Sequence, residues 1–341
     1  MIQTTSLKQK AGQFFHILFP ILVTQIALSA ITFFDTNMSG KFGTVDLAGV
    51  AIGTSLWIPI QTGLSGILMG ITPIVSQLIG SKKDKDVAFQ VTQGIWLSLI
   101  VSIIVLLIGS FALSPILNFM NLEPGVRDVA FRFLSAISFG IIPLFGYTVL
   151  RSCIDALGQT RVSMCITLIA LPVNVGLNYL LIFGNFGFPR LGGVGAGVAS
   201  AITYWVIFAV ALLFIYRSQA FVNLRLFRNF YFISLNSIKD LLKIGVPIGF
   251  SIFFETAVFS AVTLLMSRFD TVTIAAHQAA INFATTLYMI PLSICISLTI
   301  LVGFETGSGR QKDARQYAIM GIGLAAILSL ARLPCCARLI C

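Results

Sequence analysis

The chain has 341 residues, 57% hydrophobic and 10% charged, with a formal net charge of +10 and a mean hydropathy of +0.96. Soluble domains carry about 25% charged residues, so this composition excludes a water-soluble enzyme or regulatory domain and places the chain in a membrane.

Apolar runs recur near residues 13–37, 47–75, 88–113, 128–150, 162–184, 193–216, 241–267 and 272–302, and a ninth at 315–331 fails partway. About 20 apolar residues at a helical rise of about 1.5 Å span the hydrocarbon. Their length and their Gly and Pro content predict transmembrane helices, not the short alternating strands of an outer-membrane barrel. The first run contains Leu28-Ser29-Ala30, a passable cleavage site, but its length predicts an uncleaved helix.

Basic residues fall at the N terminus (Lys8, Lys10) and in every second loop: Lys82, Lys83 and Lys85, then Arg151 and Arg161, then Arg217 to Lys243, then Arg310, Lys312 and Arg315. The alternate loops carry only Lys41, Arg127, Arg132, Arg190 and Arg268. Such a bias places the N terminus in the cytoplasm of a multi-pass protein of the inner or plasma membrane. The positive charge is therefore topological, and no nucleic-acid partner is expected.

The stretch from Ile17 to Asp86 repeats itself without a gap at Ile244 to Asp313, an offset of 227 residues. Pro20 falls on Pro247, Phe42-x-Thr44-Val45 on Phe269-x-Thr271-Val272, and Gly80-Ser81 with Lys85-Asp86 on Gly307-Ser308 with Lys312-Asp313. Duplicated apolar halves are typical of secondary transporters, whose substrate path lies at the repeat interface. The chain divides into an N-lobe, 1–216, with six spans, a basic and aromatic cytoplasmic linker, 217–236, and a partial C-lobe, 237–341. Measured against the first half, the second lacks about three spans. Its register fades near Leu330, where Arg332, Pro334, Cys335 and Cys336 replace an apolar stretch, so an interrupted gene product is the expected explanation.

Charges inside a span are costly and are functional candidates by default. Glu255 lies mid-span in Phe253-Phe254-Glu255-Thr256 with no cation on its own helix within two turns. It must be protonated, hold a cation or line a wet cavity, and the plainer alternative is a neutral acid bonded to a neighbouring helix. Asp35 lies toward the outer end of the first span, where it could also simply fix a helix end. Asn174 and Asn178 stand one helical turn apart and share a face. They are either interhelical glue or oxygen ligands suited to a hard cation such as sodium. Asp155, four residues after Arg151, reads as half of a structural ion pair. His277, beside Gln278, reads as a packing and hydrogen-bonding residue. Gly192, Gly193, Gly195 and Gly197 let helices approach closely. Cys153, Cys165 and Cys295 read as packing thiols, and no metal site is expected near Cys335, Cys336 and Cys341. No phosphate-binding loop or nucleophile-and-base pair occurs, which speaks against an ATP-driven pump, an intramembrane hydrolase or any other enzyme.

In these residues the chain resembles the multidrug and toxic compound extrusion (MATE) antiporters, and most of all their NorM-type branch. The resemblance is carried by Phe34-Asp35-Thr36-Asn37-Met38-Ser39-Gly40, by Arg151-Ser152-Cys153-Ile154-Asp155-Ala156-Leu157-Gly158-Gln159-Thr160-Arg161, and by Asn174 to Gly184 with Pro189 and Gly192-Gly193-Val194-Gly195-Ala196. Phe254-Glu255-Thr256-Ala257-Val258-Phe259 and Ala275-Ala276-His277-Gln278 complete it, and it extends to about Ala326. It implies an all-α, polytopic transmembrane bundle of two homologous six-helix lobes, the second incomplete here, around a central cavity. It implies a monomer that exports small cationic amphipathic drugs by alternating access as sodium ions or protons enter, with no other cofactor. Asp35 and Glu255 match the family's membrane carboxylates tied to ion coupling. Asn174 and Asn178 match its N-lobe cation site, so that a sodium ion would sit at Asp35, Asn174 and Asn178. Ser200 stands where many members have Thr. Thr36, His277, Gln278 and Asn282 are cavity or gating candidates. Asn178 departs from the Asp of the DinF-type branch, and the acid that partners the Glu255 position would lie beyond Cys341. Two other readings stay open: an inert remnant of such a transporter, and a lipid-linked oligosaccharide flippase, whose cavity should hold intramembrane cations.

Overall fold

The computed structural model describes residues 6–120, 122–218, 221, 231–266 and 271–340, with the side chains at 84, 263, 264, 266, 271–283 and 329–340 outside the description. The described chain is helical almost throughout. Its helices are α1 (Leu7–Phe42), α2 (Thr44–Met69), α3 (Ile71–Gly80), α4 (Asp84–Phe119), α5 (Pro124–Ser138), α6 (Ile141–Ala156), α7 (Thr160–Phe183), α8 (Gly193–Arg217), α9 (Leu235–Met266), α10 (Thr271–Gly307) and α11 (Gln311–Ile340). Among the described residues seven segments are long and apolar enough to cross a membrane, or eight when the bent pair α5 and α6 counts as one span. The protein is a multi-pass, all-α membrane protein. The run at 315–331 lies within α11, which stays helical through Arg332 and Pro334 and is not among those seven or eight.

Two expected spans are broken helices. The run at 47–75 divides at Gly70 into α2 and α3, and the run at 128–150 bends by 51° between α5 and α6. At the second break the carbonyl of Phe139 accepts a hydrogen bond from Trp205 Nε1 at 3.0 Å, so α8 satisfies a backbone group that the break frees.

α8 starts where it does because Asp46, in the first turn of α2, receives the N–H of Gly193 on its Oδ1 at 2.6 Å. A carboxylate at a helix N-terminus meets both free N–H groups and the positive end of the dipole. Gly192 just before it has φ +58°, which glycine adopts without cost, and a Cβ there would run into the same carboxylate.

The lobes meet along a seam of small residues. α2 lies on α9, and α3 on α10. A Cβ added at Gly70 would lie 2.8 Å from the Gly245 Cα, and one at Gly66 would lie 2.9 Å from the Gly249 Cα. Farther along, Gly80 faces the carbonyl of Phe304, while Gly307 faces the carbonyl of Gln77, each too close for any side chain. Those four residues are repeat equivalents in crossed pairs, so the duplication read from sequence reappears as a reciprocal contact about a pseudo-two-fold axis. Small residues at such crossings let backbones approach, which is what drives helix association in lipid. A second apolar cluster joins Phe14, Ile17, Leu18 and Ile21 of α1 to Ile294, Ile300 and Leu301 of α10 and Tyr317 of α11. These contacts all lie toward the end of the bundle that carries the N terminus and the Lys82-Lys83 loop, here the basic end. At mid-depth the hydroxyls of Thr62 and Thr256 meet at 3.1 Å. Beyond it, Val258, Phe259, Val262 and Leu265 of α9 are exposed.

Candidate functional site

Three helices converge on Asp35. The carboxylate, on α1, accepts a hydrogen bond from Asn178 Nδ2 on Oδ1 at 2.6 Å and from the Ser200 hydroxyl on Oδ2 at 2.7 Å. Asn178 also donates to Asn174 Oδ1 at 3.1 Å across one turn of α7, and Asn174 Nδ2 reaches Ser200 Oγ at 3.4 Å. Both amides and Ser200 are buried, while Asp35 itself is half-buried. The sequence builds this cluster through the α7–α8 contact. A Cβ at Gly195 would lie 2.7 Å from the Leu181 backbone, so glycine lets α8 approach until Ser200 reaches the α7 amides.

One atom of the cluster has no partner: Asn178 Oδ1 is buried and makes no hydrogen bond. A buried amide oxygen without a partner costs about 1–3 kcal/mol. A half-turn of the Asn178 amide would bring that oxygen toward the carboxylate, giving oxygens from a carboxylate, two amides and a hydroxyl. Such a set suits a small hard cation, and the carboxylate alone could instead take a proton.

Glu255 stands apart from this group. It is half-buried on α9, and its Oε2 accepts a hydrogen bond from the Tyr288 hydroxyl of α10 at 2.9 Å. Thr36 turns its hydroxyl back to the Thr32 carbonyl of its own helix at 3.0 Å. His277, Gln278 and Asn282 lie on α10, but their side chains fall outside the described residues. Asp155 is buried between the Ser163 hydroxyl, at 2.5 Å, and Arg151 Nε, at 3.5 Å, while Arg151 also reaches Gln25. That is a closed structural pair. Among the described residues no group of His, Cys, Asp and Glu could hold a metal ion by itself, and Cys153 is buried while Cys165 and Cys295 are exposed.

Sequence reasoning missed Tyr288, Asp46 and the partners of Lys10. Asp46 carried a weak signal, an acid in the first turn of a helix after Gly43, but the helix it caps lies far along the chain. In the sequence Lys10 reads as a topological charge, yet it is almost fully buried against Asp313.

The chain matches the MatE family profile over residues 20–180 and 247–335. It is 58% identical over 330 residues to the "Probable multidrug resistance protein NorM" of Bacillus anthracis, covering 97% of this chain and 73% of that protein. It is 54% identical to the protein of the same description from Bacillus subtilis strain 168, covering 98% and 74%. Among solved structures, an outward-facing multidrug resistance MATE family transporter of the MOP superfamily superposes with a TM-score of 0.80. That likeness, at 17% identity over 97% of this chain and 73% of the other, is one of fold.

Proposed function

Because the chain belongs to the MatE family, we propose that it is a cation-coupled antiporter that exports small cationic amphipathic compounds by alternating access, taking in a sodium ion or a proton. The observation that carries the reading is the Asp35 cluster: a carboxylate held by Asn178 and Ser200 beside a buried amide oxygen with no partner. A cation at Asp35 neutralises a charge that is costly in a membrane span, and its binding changes which arrangement of the helices is stable. The names of the relatives support drug-like substrates. The basic end faces the cytoplasm in this reading, as the alternation of basic loops requires. The contacts from the Thr62–Thr256 pair to the basic end then hold the cytoplasmic side closed.

The test is the ion dependence of efflux. In an efflux-deficient bacterial host expressing the chain, a cationic dye should leave energised cells and stop leaving once the sodium and proton gradients are both collapsed. Efflux that continues at the same rate without either gradient contradicts the reading.

A further inference from the structure

At the basic end the two lobes are tied by charge as well as by packing. Lys10 of α1 is only 4% exposed, and its Nζ lies 2.5 Å from Asp313 Oδ1 of α11 while also donating to Gln316 Oε1. Arg310 lies 2.7 Å from Glu305 Oε2 and 3.9 Å from Asp313 Oδ2, and Glu305, at the end of α10, is 1% exposed. Two cations and two acids therefore form one neutral group, with Lys10 from the first lobe and the rest from the second. Around it Tyr317 donates to Gln13 Oε1 at 3.0 Å, and Ser308 donates to the Gly80 carbonyl at 3.0 Å. Both bonds also cross between lobes.

The repeat-related corner is built differently. There Ser237 stands where Lys10 would be, and Asp86, the equivalent of Asp313, is exposed. The ionic tie is thus an addition to one corner and not a by-product of the duplication.

We propose that Lys10, Asp313, Arg310 and Glu305 form a latch that holds the lobes shut at the basic end and that breaks when the cavity opens to that side. The proposal rests on the alternating-access reading. A buried ion pair resists separation because each charge would have to be left without its partner. Asp313, 26% exposed, gives water a route to replace the lysine as the lobes part, which makes the break reversible. Removing either partner therefore shifts the population toward the form open at the basic end.

Ser76 reports on this directly. It is fully buried on α3 at the lobe seam, where a Cβ on Gly303 of α10 would lie 2.9 Å from its own. The experiment places a single Ser76→Cys in a form whose six native cysteines are alanine and measures its alkylation by a polar maleimide. Lys10→Gln and Asp313→Asn should each raise the labelling rate about tenfold, a factor that corresponds to about 1.4 kcal/mol in the closed–open equilibrium. The exchanged pair, Lys10→Asp with Asp313→Lys, should return it to the reference rate. Equal labelling in all four forms overturns the latch. If Lys10→Gln yields no folded protein, Asp313→Asn and the exchanged pair decide: fast labelling in the first and slow in the second supports the latch, and any other order overturns it. Labelling needs no transport, so gradient-independent efflux would sink the antiport reading while leaving this result to be judged separately.

Discussion

Asp35→Asn is expected to abolish ion-driven efflux while leaving the amount and thermal stability of the protein close to those of the parent. Asparagine keeps the shape of the side chain and one acceptor for Asn178 or Ser200, so the folding cost is that of about one altered hydrogen bond, about 1 kcal/mol. It removes the only formal charge in the cluster. Losing a charged partner from a desolvated site costs a bound ion about 2–5 kcal/mol, and at 1.4 kcal/mol per decade that is roughly thirtyfold or more in affinity. Asp155→Asn should do the reverse. It takes the buried carboxylate away from the partly exposed Arg151, which keeps Gln25, with a cost of about 1–3 kcal/mol, and should lower protein yield while the surviving molecules keep their ion dependence. Dye efflux and yield measured side by side check both expectations, and normal gradient-driven efflux by the Asp35 variant would remove that carboxylate from the mechanism.

The second large effect is steric. Gly80→Ala and Gly307→Ala should each cost at least about 3 kcal/mol and yield little monodisperse protein, since overpacking against a yielding side chain already costs about 1–3 kcal/mol and here the obstacle is backbone. The two should behave alike, because each glycine meets the carbonyl that is the repeat equivalent of the one the other meets. Gly109→Ala on α4 is the control: nothing lies within 4 Å of the added Cβ, and alanine is favoured over glycine in a helix by about 0.5–1 kcal/mol. Thermal unfolding followed by size-exclusion chromatography reads all three. Gly80→Ala as stable as Gly109→Ala would mean that the lobes do not cross as closely as described.

Apolar runs alone located the spans, because lipid forces every spanning backbone into helices whose length is set by the bilayer. The same signal could not show the breaks at Gly70 and Gly140, since a broken helix with satisfied backbone groups is as apolar as a straight one. The answer to the Gly140 break is Trp205, on another helix. The site was legible in part for a similar reason. Asp35, Asn174 and Asn178 are expensive in hydrocarbon, and the spacing of the two amides placed them on one face. Ser200 is a common residue that only the approach of α8 to α7 brings to Asp35, and in the sequence it stands out only through the family resemblance. Lys10 and Asp313 were legible as charges but not as partners: they are far apart in sequence, and only the packing of α1 on α10, against which α11 also lies, brings them together. The same holds for Tyr288 beside Glu255.

The central claim is that drug and cation exchange through a site whose charge is Asp35. Reconstituted vesicles test it most directly: an outward drug gradient is imposed with no ion gradient present, and uptake of sodium ions or protons is recorded. The account predicts cation uptake that runs against the drug flow and disappears in Asp35→Asn vesicles containing the same amount of folded protein. Drug flux with no accompanying cation movement, or cation uptake that survives the loss of Asp35, would contradict it.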